Sequence, residues 1–140
     1  MKKENKFTHF DSEGKAIMVD ISNKESTERL ATASSSISMH AKTFTMIKEG
    51  TSKKGDVLGI ARIAGIMAAT KTSDLIPLCH PVSLSSVSIN FKMMQKINTI
   101  HITCDCKLNL KTGLEMEALT AVSVTALTIY DMCKAVDRGM

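Results

Sequence analysis

The sequence predicts an α+β fold, an antiparallel sheet covered on one face by helices in the order β-α-α-β-β-α. Three observations predict it. Two neighbouring stretches, near 86–93 and 100–110, alternate apolar with mostly polar residues, the period of strands with one buried face. The run from Ala118 to Tyr130 has no charged side chain and repeats apolar residues at spacings of three and four, the period of a helix. Both prolines, Pro77 and Pro81, separate the earlier helical stretches from the first of those strands.

Residues 1–19 carry no period, with a turn at Ser12-Glu13-Gly14, and form an irregular lead-in that must lie on something else. From Glu28 to Met39 small and apolar residues alternate, with Ala31, Ala33, Ile37 and Met39 on one side of a strand. Phe44, Met46 and Ile47 suggest a short helix ended by Gly50 at C′. Gly55-Asp56 then starts a helix carrying Val57, Ile60, Ile63 (or Ala64) and Met67 at helical spacing. Gly59 and Gly65 inside it each cost up to about 1 kcal/mol, which a closely packed neighbouring backbone would explain.

In the loop LIPLCHP the prolines push Ile76 and His80 towards extended geometry. Val87, Ile89, Phe91 and Met93 face one way on the next strand. After a turn near Asn98, Ile100, Ile102, Cys104, Cys106, Leu108 and Leu110 do so on its hairpin partner. The last helix opens with a capping box, Thr112 and Glu115, and presents Leu119, Val122, Ala126, Ile129, Cys133 and Val136 on one face. This order is most of a split βαβ-βαβ pattern, and the chain stops at Arg138-Gly139-Met140, where one more strand is expected.

At 140 residues, 44% hydrophobic and 23% charged, the chain reads as one globular domain, 1–140. A net charge of +4 suits an anionic ligand, but the basic residues are spread out and no basic strand with stacking aromatics argues for nucleic acid. No apolar run is long enough for a membrane helix, and the polar N-terminus is unlike a secretory signal, so a cytoplasmic chain with reduced cysteines is expected.

Five groups could carry chemistry. Asp131 and Lys134, three apart after the long apolar run, are either an ordinary helix-end pair or an acid/base pair shifted by burial. Lys53 and Lys54 precede a helix N-terminus, where phosphate is favoured, although solvated lysines are common there; no Walker-type P-loop is present. His80, in its stiff loop, could bind a ligand or transfer protons, or serve structure alone. Glu115 is explained as a capping residue, whereas Glu117 is not. Cys104 and Cys106, two apart on a strand with Ile100 and Ile102, read as core thiols rather than zinc ligands.

The segments MVDIS, KKGDV, ARIAGI, DLIPLCHP, KTGLEMEALTA and ALTIYDMCKA resemble the molybdenum cofactor biosynthesis protein C family, from about Thr8 to Lys134. The resemblance implies a ferredoxin-like domain and a lyase acting on a GTP-derived substrate. Members rearrange 3′,8-cyclo-7,8-dihydro-GTP to cyclic pyranopterin monophosphate with release of pyrophosphate. It implies a homohexamer, a trimer of dimers with sites at the dimer interface. By matching motif, Asp131, Lys134 and Lys54 carry over as catalytic residues. Leu78, Cys79 and His80, Met116 with Glu117, adjacent Glu115, and Arg29 carry over to substrate binding. No resident cofactor or metal is implied, and Mg²⁺ accompanying the triphosphate is left open. A strand and a Gly/Lys-rich tail that the family adds are expected beyond Met140. Two other classes stand beside this one: a non-catalytic oligomeric nucleotide-binding module and a small zinc-dependent enzyme.

Overall fold

Alternating small and apolar side chains make the first strand. The computed structural model describes residues 6–50 and 55–140, and in it β1 spans Thr27–Ser38. Arg29, Ala31, Ala33, Ser35 and Ile37 lie on its more buried side. β2 (Ser86–Met94) and β3 (Thr99–Leu110) form the expected hairpin. Their connection is a single turn at Gln95–Ile97 followed by Asn98, whose φ of 47° places it in the left-handed region that asparagine tolerates. The sheet order is β1-β3-β2, antiparallel throughout, with β1 opposite β3 from Thr27↔Leu110 to Ser38↔Thr99. This is the ferredoxin-like arrangement, and a strand following the last helix would lie along the outer edge of β1.

α1 (Ala41–Lys48) ends as anticipated, with Gly50 at φ 65° donating to the Ile47 carbonyl. At its other end no local side chain caps it. Asp137, beyond the last helix, does so instead: His40 N–H and the Thr43 hydroxyl donate to its Oδ2 at 2.9 and 3.0 Å. These bonds, that from His40 N–H foremost, hold the Asp137 carboxyl below the usual carboxylate range.

α2 (Val57–Thr70) is capped by Asp56, which accepts from Gly59 N–H at 3.0 Å. A side chain at Gly59 would strike that carboxylate, so this glycine serves the cap rather than a neighbouring backbone. Gly65 does meet the expectation. A Cβ there would collide with Thr125 Oγ1 and Ile89 Cδ1 and lie 3.1 Å from the Ala121 carbonyl oxygen. The stripe read from spacing is nevertheless the wrong one: Ile60, Ile63 and Met67 are exposed, while Val57, Ala61, Gly65, Ala68 and Ala69 face the core. Close helix packing selects small residues for the inside, which leaves the larger ones outside.

A single turn, α3 (Thr72–Leu75), leads into the proline loop. α4 (Glu115–Cys133) then returns across the sheet, packed against α2, β1 and β3. Ala118, Ala121, Val122, Thr125, Ile129 and Cys133 are buried, so the helix is covered on more than one side. Leu119 and Val136, placed inward by their spacing, are exposed instead. The expected capping box is absent. The helix begins at Glu115 with Leu114 at its N-cap and no side-chain cap, which puts Glu115 at the first helical position rather than the third. Glu115 and Glu117 still complement the positive end of the helix dipole.

Candidate active site

Cys79 N–H donates to the Ile76 carbonyl at 3.3 Å, closing a turn with Pro77 and Leu78 at its centre. Ile76 is extended, as the following proline requires. Leu78 sits at φ 63°, a conformation costing a non-glycine residue about 1–2 kcal/mol. The strained turn presents Leu78, Cys79 and His80 to a cavity of about 500 Å³, within the range of small-molecule sites. The first turn of α4 supplies the opposite wall, with Glu115, Met116 and Glu117. Six of the residues singled out from sequence therefore meet at one place.

Glu117 is buried, and the Cys79 thiol donates to its Oε1 at 3.8 Å. Burial raises the Glu117 carboxyl above its ordinary value, so it takes up a proton more readily than a solvated glutamate. Burial, and then the neighbouring Glu117 charge, push the Cys79 thiol up as well, which keeps it an S–H donor at neutral pH. His80 Nε2 lies 2.5 Å from the Val19 carbonyl oxygen. A carbonyl only accepts, so Nε2 carries the hydrogen and Nδ1 is left for a ligand.

Because the folded state binds the Glu117 proton more tightly than the unfolded chain, this group lowers stability as pH rises above its ordinary value of 4.5. Glu117→Gln is therefore expected to be more stable than the parent at neutral pH, with the advantage shrinking as pH falls towards 4.5. Urea denaturation across that interval measures it. A Gln variant with no pH-dependent advantage would mean that Glu117 is solvated.

The chain ahead of β1 forms the third wall, through Thr8, His9 and Val19 of the lead-in and Ile21 and Lys24 just after it. Sequence reasoning named none of these as site residues. The available signal was Asp20-Ile21-Ser22, in which Asp20 Oδ1 accepts from Ser22 N–H at 2.9 Å and Lys24 N–H returns to the Ile21 carbonyl. Within the same segment a turn forms around Gly14, at φ 79°, near the place expected for one.

The remaining candidates lie elsewhere. Lys134 Nζ donates to Asp131 Oδ1 at 2.7 Å, but the two side chains are 45% and 59% exposed, so the expectation of a pair sunk in apolar surroundings does not hold within one chain. The cause is the stripe they occupy. Leu119, Ser123, Leu127 and Asp131 follow one another at four-residue spacing on the outward side of α4, all exposed. At about 1.5 Å per residue, Asp131 stands roughly 21 Å along α4 from Glu117. Arg29 is half-buried opposite Leu108, at the end of the sheet that leads into α4. Lys53 and Lys54 lie outside the described residues. Cys104 and Cys106 are fully buried, 3.8 Å apart between sulfurs, and the hydrogen bond they share, followed by burial, raises Cys106. No group of three His, Cys, Asp or Glu among the described residues is placed to hold a metal ion.

A split βαβ domain whose cavity combines carboxylates, a thiol, imidazoles and a lysine defines a small-molecule site of acid–base character. The comparison with known proteins is specific: residues 18–140 match the MoaC family, and the chain belongs to that family. It is 59% identical over 137 residues to the cyclic pyranopterin monophosphate synthase of Clostridium botulinum (strain Alaska E43 / Type E3), covering 98% of this chain and 86% of that protein. It is 56% identical over 137 residues to the enzyme of the same name from Clostridium perfringens (strain 13 / Type A), covering 98% and 87%.

Proposed function

We propose that this chain is a cyclic pyranopterin monophosphate synthase. It converts (8S)-3′,8-cyclo-7,8-dihydroguanosine 5′-triphosphate to cyclic pyranopterin monophosphate with release of pyrophosphate, in molybdenum cofactor biosynthesis. The observation that carries the reading is 59% identity over nearly the whole chain to an enzyme of that name, and the cavity adds groups suited to the chemistry. Opening and reclosing a reduced purine requires proton donors and acceptors that work near neutral pH. A raised carboxyl (Glu117), a thiol donor (Cys79) and a histidine with Nδ1 available (His80) stand where a purine-derived base can be held.

Asp131 and Lys134 supply the proton transfers of the rearrangement, and Lys54 acts as general acid or phosphate-binding cation in the cyclising attack that expels pyrophosphate. Arg29 helps to hold the triphosphate. One substrate cannot bridge the roughly 21 Å along α4 that separates Asp131 from Glu117, so the complete site joins the two ends of α4 from different copies. The exposed Leu119 and Leu127, on the stripe leading to Asp131, are what a second copy would cover, desolvating the acid/base pair at the same time. A hexamer arranged as a trimer of dimers, in the cytoplasm and without a resident metal, completes the proposal.

The test is direct. Incubated with the cyclised dihydro-GTP, the purified chain should release pyrophosphate and one cyclic pterin phosphate, resolved by chromatography of a single-turnover mixture. Binding without product would reduce the protein to a nucleotide-binding module.

A further inference from the structure

The described residues that line the cavity within one chain leave a charge problem. Glu115 and Glu117 both line it, and a triphosphate brings several more negative charges. Carboxylates suit the N–H edges of a purine-derived base, but they repel phosphate. Among the described residues, one Lys or Arg side chain lines this cavity: Lys24, between the lead-in segment and β1.

Lys24 is fixed by its surroundings. Asp20 Oδ1 accepts from Ser22 N–H at 2.9 Å and Lys24 N–H donates to the Ile21 carbonyl at 3.1 Å, two consecutive turns that set the direction of the chain. The N–H bond to Ser22 also holds the Asp20 carboxyl below its ordinary value, so this turn keeps its charged acceptor over the physiological range. Just ahead of it, the Val19 carbonyl is bonded to His80, which ties the segment to the proline loop across the cavity. The Lys24 side chain is exposed and makes no hydrogen bond or ion pair with the described residues, so its ammonium stands available at the mouth.

We propose that Lys24 is a substrate-binding residue of this cavity, a cation that joins Arg29 and Lys54 on the phosphate chain of the nucleotide while Glu115 and Glu117 face the base. The assignment rests on the function proposed above. A lysine suits this role because its ammonium is a compact point charge able to follow a flexible phosphate chain. Its interaction is made in the bound state and the transition state alike, so losing it raises KM more than it lowers kcat.

Calorimetric titration of the full chain with GTP and with guanosine separates phosphate from base recognition. Lys24→Ala should weaken GTP binding about tenfold and leave guanosine binding unchanged, and Lys24→Arg should recover most of the loss. In turnover, KM for the cyclised dihydro-GTP should rise by about the same factor with kcat within about twofold. Unchanged GTP affinity in Lys24→Ala, or an equal loss for guanosine, overturns the assignment. The two proposals fail separately. A parent chain that forms no product yet loses GTP affinity in Lys24→Ala keeps the phosphate site and loses the synthase reading. A parent that turns over normally beside an indistinguishable Lys24→Ala does the reverse.

Discussion

Lys134→Ala is expected to lower turnover by about 10²–10⁴-fold, the contribution of a positioned acid or base, while changing stability by no more than about 1 kcal/mol. The small stability term is that of the separate chain: the pair with Asp131 is close, at 2.7 Å, but half in solvent before a second copy covers it, where ion pairs contribute little. Asp131→Asn should show the same separation, with activity lost and unfolding nearly unchanged. Turnover at the parental rate in both variants would remove these residues from the reaction. Mixing and reassociating Lys134→Ala with Glu117→Gln tests the shared site. If each site takes its α4 ends from different copies, about half of randomly assorted dimers are mixed, and each retains one intact site. Restored activity of about a quarter of the parent is expected; none would place both groups in one chain's site.

Gly65→Ala should destabilise the fold by about 1–3 kcal/mol, even though alanine is the better helix former by up to about 1 kcal/mol. The added methyl has nowhere to go. It meets Thr125 Oγ1 and Ile89 Cδ1 and comes within 3.1 Å of the Ala121 carbonyl, so α2 must move away from α4. Thr125→Ala in the same chain removes one of the colliding atoms and should recover part of the loss. Urea denaturation reads both. A more stable Gly65→Ala would show that the two helices are not in close contact there.

Much of this was legible in the chain itself. Alternation along Val87–Met93 and Ile100–Leu108 specified the hairpin and its buried face, because a strand's period of two leaves one solution once a core exists. Asp56 and Gly50 marked helix ends through local hydrogen bonding, which needs no distant partner. The proline-bracketed loop singled out His80, and the structure forms a hydrogen-bonded turn about Pro77 just ahead of it. Errors arose where two faces of a helix look alike. α2 carries isoleucines on one stripe and alanines with glycine on another. Hydropathy favoured the first and helix contact chose the second. The capping box failed similarly, since Thr112 and Glu115 have the right spacing but the helix starts later, at the turn that builds the cavity.

The sequence by itself determined the order of elements, the antiparallel pairing, the family and most of the residues with chemistry to offer, because each of these is written in short-range pattern or in motif. Tertiary structure alone decided three things: that the chain ahead of β1 closes the cavity and brings Lys24 and the Val19 carbonyl to it, that Glu117 is buried against Cys79, and that Asp131 and Lys134 lie at the far end of α4. The reason is physical. Periodicity reports which face of an element is apolar, whereas burial, proximity and the sharing of a site between copies depend on what packs against that face.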